Sequence, residues 1–253
     1  MKAKIRQVVV KILQRTGLKV PIKLLIAKIL WVLQATGLKA TQAELPARLV
    51  VGNAMRFHSL GVLTDLAVRN VGKATIERLA MVEAGLGEGD SFSFLAFVAE
   101  ELKVDLIGFD SFQGFPEPSS PKDQRAWGGE TKAGQIKVSK DTILKKLKAS
   151  GLPPAFIPEK IKLVPGFFEQ SLDEFSPNKK FFFVNLDVDL YSSYKTCLPY
   201  FWKHTAQGGV ICFDEYHNPK WPGAKEAIDE FCSLQNIHVE IETISGRGYI
   251  LKV

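Results

Sequence analysis

The sequence is poor in the residues that build disulfide frameworks and zinc sites. Only three cysteines occur among its 253 residues, Cys197, Cys212 and Cys232, and no two of them form a CxxC pair. An odd number at this spacing excludes a disulfide scaffold and indicates buried thiols in a reducing compartment.

Acidic residues are absent from the first 40 positions, which hold nine Lys or Arg, whereas the remainder holds 24 basic and 27 acidic residues. Within this basic arm KILQRTGLKV, at 11–20, returns as WVLQATGLKA at 31–40. The spacing of apolar residues predicts two amphipathic helices, ended by Gly17 and Gly37. Such an arm favours contact with an anionic surface, such as a membrane, and a solvated helix face or a homodimer interface are the alternatives.

Long hydrophobic runs are also missing. A transmembrane helix needs about 20 apolar residues, and Lys23 and Lys28 interrupt the most apolar part of the arm. The same lysines break the apolar stretch of a signal peptide. We therefore expect a cytoplasmic protein, with peripheral membrane contact through residues 1–40 as the alternative.

Two regions are expected, a helical arm over residues 1–45 and an α/β domain over residues 46–253. From about residue 70, strand-like and helix-like segments alternate, which predicts a doubly wound parallel sheet. The tail departs from this pattern, because IHVEIETI and YILKV are separated only by the turn Ser245–Gly248, which predicts a closing antiparallel hairpin. The strand-like segments before the tail are LAMVEAG, VDLIGFD, KIKLVPG, FFFVNLDVD and GVICFDE, with helices beginning near residues 91, 139, 168, 192 and 222.

Four acidic residues follow two of these strands. Asp187 and Asp189 end FFFVNLDVD, and Asp214 and Glu215 end GVICFDE. Since the carboxyl ends of parallel strands meet at one edge of a sheet, these acids should lie together there. Oxygen ligands of this kind suit a hard divalent cation. The alternative is that they cap the following helices or bond to loop amides.

A glycine-rich turn, EAGLGEGDS at 83–91, links the first strand to a helix. Glycines let a ligand approach the backbone, and the helix start favours polar or anionic groups. The spacing is not the GxGxxG pattern of dinucleotide-binding proteins. Asp110, about 20 residues on, could accept hydrogen bonds from both hydroxyls of a ribose. The alternative for Glu83 and Asp110 is that they only stabilise turns and helix caps. A nicotinamide dehydrogenase is a further alternative, but it would leave the four acids unexplained.

A long segment rich in Pro, Gly and Ser follows the second predicted strand, over residues 111–137. Segments of this length within a compact domain are usually lids or binding loops. Disorder in the free protein is the alternative.

Five segments in this order resemble the macrocin O-methyltransferase family of S-adenosylmethionine-dependent enzymes, over about residues 80–235. The resemblance implies a class I methyltransferase fold, with a seven-stranded Rossmann-like sheet whose last strand is antiparallel. It leaves the basic arm unexplained. The segments are EAGLGEGDS, IGFDSFQGFPEP, VPGFFEQSL, NLDVDLYSSYKTCLPYFW and GGVICFDEYHNPKWPGAKEAIDEF.

The resemblance also assigns roles to residues. The family's metal ligands fall on Asp187, Asp214 and Glu215, with Mg²⁺ as the implied ion, and Asp189 takes the place of the general base. Family members usually carry two aspartates where this chain has Asp214 and Glu215. The candidate residues for binding S-adenosylmethionine are Glu83, Gly85, Gly89, Ser91, Asp110 and Ser111.

We therefore predict a magnesium-dependent O-methyltransferase that methylates one hydroxyl of a vicinal diol, on a sugar of a glycoside, glycan or glycolipid. A non-catalytic, methyltransferase-like binding protein docked through its basic arm is the alternative. Nucleic acid is disfavoured as a partner, because the excess of basic residues is confined to the arm.

Overall fold

The computed structural model describes residues 47–253. The predicted helices of the arm lie outside the described residues, and membrane contact through the arm stays a prediction. Residues 58–253 form one compact unit, to which the following description applies. Among the helices of the described part, none combines the length and apolar character needed to cross a membrane.

Helices and strands alternate as the sequence pattern predicts. The helices are α1 (Ala47–Val71), α2 (Lys73–Ile76), α3 (Asp90–Leu102), α4 (Lys140–Ala149), α5 (Phe156–Lys160), α6 (Phe168–Glu174), α7 (Tyr191–His204) and α8 (Pro222–Gln235). The strands are β1 (Ala80–Ala84), β2 (Asp105–Asp110), β3 (Ile161–Pro165), β4 (Phe181–Leu186), β5 (Thr205–Phe213), β6 (Glu240–Ile241) and β7 (Gly248–Leu251).

The seven strands form one sheet in the order β3-β2-β1-β4-β5-β7-β6. Strands β1 to β5 pair in parallel, whereas β7 is antiparallel to both β5 and β6. This arrangement confirms the class I methyltransferase fold. Strand β6 is shorter than the predicted IHVEIETI, because the chain turns at Glu242, whose carboxylate accepts hydrogen bonds from the N–H groups of Ile244 and Ser245.

The core is built on the central strands. Every residue of β1 and β4 is buried, as expected for parallel strands covered on both faces. Phe109 on β2 packs edge-on against Phe201 of α7, with ring centroids 5.7 Å apart. The three cysteines are buried, as predicted, and burial raises the pKa of the Cys212 thiol to about 12. That thiol is therefore protonated near neutral pH and part of the core.

One glycine lets two strand ends approach each other closely. Gly85 follows β1 with a φ of 80°, and a Cβ atom placed on it would lie 1.8 Å from the carbonyl oxygen of Asp187. The N–H of Asp187 donates a 2.9 Å hydrogen bond to the carbonyl of Ala84. The end of β4, and the acidic residues that follow it, are thus held against the glycine-rich turn.

We expect Gly85→Ala to destabilise the protein more than Gly87→Ala does. Both glycines have positive φ, but a Cβ on Gly87 would have no heavy atom within 4 Å. Gly87→Ala should therefore cost only the roughly 1–2 kcal/mol of an alanine in the left-handed region, while Gly85→Ala must also separate two backbone segments. Urea unfolding of both variants measures the difference, and equal losses of unfolding free energy would refute the close approach.

Candidate active site

Three carboxylates meet where β4 and β5 end. Leu186 and Phe213 are register partners at the ends of these strands, so Asp187 and Asp214 follow side by side. One ligand atom from each of Asp187, Asp214 and Glu215 lies within 4.8 Å of the others. The structure thus brings together three of the four acids that the sequence placed at this edge.

Glu215 is the most buried of these acids, with 1% of its surface exposed. Its Oε2 accepts a 2.5 Å hydrogen bond from the Tyr194 hydroxyl on α7. Burial, together with the negative charges of Asp187, Asp214 and Asp189, raises the pKa of Glu215 well above its ordinary value. A divalent cation among these oxygens would offset that repulsion, and an all-oxygen donor set suits a hard cation such as Mg²⁺.

Asp189 lies on a tight turn directly after the cluster. Its φ is 57°, which is uncommon for a residue other than glycine. The N–H of Leu190 donates to the carbonyl of Val188 at 2.6 Å, so Asp189 is the central residue of a three-residue turn. Turns of this kind with positive φ are rare and strained, and such strain is concentrated at functional sites. The turn fixes the backbone position of Asp189, and its role as general base stays a prediction.

The predicted cofactor side is organised by Asp110. Its Oδ2 accepts a 2.8 Å hydrogen bond from the N–H of Leu86, and its Oδ1 accepts a 2.7 Å bond from the N–H of Phe112. Burial raises the pKa of this carboxyl, and the backbone hydrogen bonds partly oppose the rise. Asp110 therefore joins the glycine-rich turn after β1 to the loop after β2.

The other candidate cofactor residues lie in these two loops or in the elements that border them. Gly85 and Gly89 have φ values of 80°, and Gly89 is the N-cap of α3, whose first turn holds buried Ser91. The Ser111 hydroxyl donates a 2.7 Å hydrogen bond to the carbonyl of Gly114. Their binding role stays a prediction. Glu83 is fully buried in β1, where its Oε1 accepts a 2.7 Å bond from the amide of Asn185.

The segment 111–137 is tied to the site by Asp123, a residue that the sequence analysis did not single out. Asp123 is fully buried. Its Oδ2 accepts hydrogen bonds from the N–H groups of Ser119 and Ser120, at 2.9 and 3.0 Å. Its Oδ1 accepts a 2.8 Å bond from the N–H of Ser192, in the first turn of α7. A helix start needs acceptors for its N–H groups, and the long segment supplies one.

Aromatic residues near the site differ in exposure. Phe115, in the long segment, packs edge-on against Trp221, with ring centroids 5.6 Å apart, whereas Trp127 in the same segment is 54% exposed. His217, just past the acidic pair, is exposed. Tyr194 is fully buried, and its hydroxyl donates a hydrogen bond to Glu215.

Comparison with known proteins gives a family match over most of the chain. The model of the family described as macrocin O-methyltransferase (TylF) matches residues 60–252. No curated protein sequence matches the chain.

Solved structures share the fold at low sequence identity. The calicheamicin methyltransferase CalS11 is 21% identical with a TM-score of 0.64, covering 87% of this chain and 91% of that one. An apo structure of CalS11, described as a TDP-rhamnose 3'-O-methyltransferase, has a TM-score of 0.56, with 21% identity and coverage of 87% and 92%. The O-methyltransferase NovP is 20% identical with a TM-score of 0.63, covering 79% and 80%.

Asp123→Asn should loosen the segment 111–137. An amide has one acceptor oxygen in place of two, so at least one of the three backbone N–H groups loses its charged acceptor, and a hydrogen bond to a charged group contributes about 1.5–3 kcal/mol. We expect a lower free energy of unfolding and faster proteolysis within 111–137. The control is Glu117→Gln, because Glu117 is exposed in the same segment. Cleavage of both variants at the wild-type rate would contradict the anchoring role.

Proposed function

The chain belongs to the macrocin O-methyltransferase family, whose members transfer a methyl group from S-adenosylmethionine to an oxygen, and we propose that its acceptor is one hydroxyl of a vicinal diol on a sugar. We further propose that the reaction depends on Mg²⁺. The observation that carries the proposal is the convergence of Asp187, Asp214 and Glu215 at the edge of the sheet, with ligand atoms within 4.8 Å of one another.

The sugar as acceptor is supported by chemistry and by analogy. Two neighbouring hydroxyls can chelate one cation, which would select a diol over an isolated alcohol. The similar protein CalS11 is described as a TDP-rhamnose 3'-O-methyltransferase. A sugar attached to a nucleotide, glycoside, glycan or glycolipid presents the same pair of hydroxyls.

In this proposal each part of the site has one task. Asp187, Asp214 and Glu215 would hold the cation, which supplies Lewis acidity that lowers the pKa of a bound hydroxyl. S-adenosylmethionine would be bound by residues at the ends of β1 and β2 and at the start of α3, namely Glu83, Gly85, Gly89, Ser91, Asp110 and Ser111.

Asp189 is the proposed general base. S-adenosylmethionine would supply an electrophilic methyl group, which the acceptor oxygen would take as the C–S bond breaks and the electron pair remains on sulfur, giving S-adenosylhomocysteine. The hydroxyl proton passes to the Asp189 carboxylate. The strained turn holds Asp189 two residues from Asp187, so one loop carries both a cation ligand and the base. Alignment of reactants can supply as much as ~7–11 kcal/mol of the barrier.

Substitutions within this loop separate cation binding from proton transfer. Asp187→Asn should abolish binding of Mg²⁺, measured by calorimetry, and with it turnover of a nucleotide sugar. Asp189→Asn should keep affinity for S-adenosylhomocysteine but lower kcat by about 10²–10⁴-fold, as expected when a general base is lost. Asp173→Asn is the matched control, because Asp173 is exposed on α6.

The assay titrates S-adenosylhomocysteine into the wild-type protein with and without Mg²⁺, then measures methyl transfer to TDP-rhamnose and to other glycosides. Full activity of Asp187→Asn, or wild-type turnover after chelation of divalent cations, would exclude the metal-dependent mechanism. Unchanged kcat in Asp189→Asn would exclude that residue as the base.

A further inference from the structure

A buried arginine lies beside the proposed cation site. Arg247 belongs to the turn between β6 and β7, and its side chain is 7% exposed. The turn is fixed by the backbone of Glu242, whose N–H donates to the carbonyl of Arg247 at 2.9 Å and whose carbonyl accepts from Gly246 at 2.8 Å. The Glu242 carboxylate also accepts a 2.7 Å bond from the N–H of Ser245. Arg247 is therefore presented by an ordered turn.

Strand register explains why this arginine reaches the acids. Gly248, the first residue of β7, is the antiparallel partner of Phe213, the last residue of β5. Asp214 follows Phe213 and Arg247 precedes Gly248, so in antiparallel strands the two residues lie at the same end of the pairing, opposite each other. A Cβ on Gly248 would lie 2.8 Å from the Tyr216 side chain, so the packing of Tyr216 on this strand end needs glycine there. The antiparallel pairing of β5 and β7 thus places the cationic side chain of Arg247 beside Asp214.

The guanidinium makes two contacts at once. One terminal nitrogen donates to Oδ1 of Asp214 and forms an ion pair with it. The other donates to Oδ1 of Asn185 at 2.8 Å, and the Asn185 amide in turn donates to Glu83 at 2.7 Å. A chain of hydrogen bonds therefore crosses the sheet from β1 to the turn before β7. Arginine suits this position, because its planar fork holds two acceptors in a fixed geometry.

We propose that Arg247 is a positioning residue for the cation site, fixing the Asp214 carboxylate through a guanidinium that Asn185 holds in place. The inference rests on the proposed function, since it takes Asp214 as a cation ligand. Partners of this kind around metal ligands typically contribute 10–100-fold to metal affinity. Arg247 also places one positive charge among the acids, so the cluster can assemble before the cation binds.

The test compares Arg247→Met and Arg247→Lys by calorimetric titration of Mn²⁺ and Mg²⁺ into the protein without substrate. Arg247→Met removes the charge and both contacts, whereas Arg247→Lys keeps the charge but cannot bridge Asp214 and Asn185 in the same way. We expect both variants to bind the cations about 10–100-fold more weakly than the wild type. Thermal unfolding and affinity for S-adenosylhomocysteine report whether each variant is folded. Arg78→Met is the control, because Arg78 is exposed.

The possible outcomes separate the role of the charge from the role of the fork. Wild-type cation affinity in Arg247→Met, or tighter binding, would overturn the inference, since the arginine would then be neutral or a competitor. Full recovery in Arg247→Lys would show that charge alone matters and would overturn the role of the fork. If Arg247→Met does not fold, the lysine variant tests the inference by the same comparison with the wild type. No cation binding by the wild type would overturn the proposed metal dependence itself, and the Arg247 inference with it.

Discussion

Repulsion among carboxylates at one edge of the sheet is the constraint on which the site depends. Asp187 and Asp214 are partly buried and Glu215 is buried, so like charges there interact more strongly than in water. The fold offsets part of this repulsion with the Arg247 guanidinium on Asp214 and part with the Tyr194 hydroxyl on Glu215. Both offsets are incomplete, since burial and neighbouring charge still raise the pKa of Glu215. The cluster therefore keeps an excess of negative charge, which a divalent cation would neutralise.

The backbone makes this arrangement possible by fixing where each strand ends. Leu186 pairs with Phe213 and Phe213 pairs with Gly248, so the residue after each strand end enters the same small region. Gly85 allows the turn after β1 to lie against the backbone of Asp187. The glycine-rich turn after β1 and the acidic residues after β4 are therefore packed against each other. Because the acids directly follow strand ends, the ordered sheet limits where their side chains can lie.

Sequence patterns predicted the local features well, because apolar runs and turn residues act over short distances. They placed the five parallel strands, the closing hairpin and the acidic residues at their ends. They missed partners that lie far apart in the chain, since no local pattern records a contact between Arg247 and Asn185, 62 residues apart. Composition also could not decide between a lid and disorder for residues 111–137. That segment is held by a contact 69 residues away, between Asp123 and Ser192.

The pair Asp214 and Glu215 departs from the two aspartates usual in the family, and the structure gives the departure a physical context. The two side chains have different partners, a cationic guanidinium for Asp214 and a neutral hydroxyl for Glu215. The longer glutamate contacts Tyr194 on α7 while its carboxylate still lies within 4.8 Å of the other two acids. Aspartate is shorter by one methylene. An aspartate at this position could keep both the Tyr194 hydrogen bond and the distance to the other two acids only if the backbone or Tyr194 moved. The longer side chain of Glu215 thus fits the position of Tyr194, and its carboxylate oxygens are of the kind that Mg²⁺ prefers.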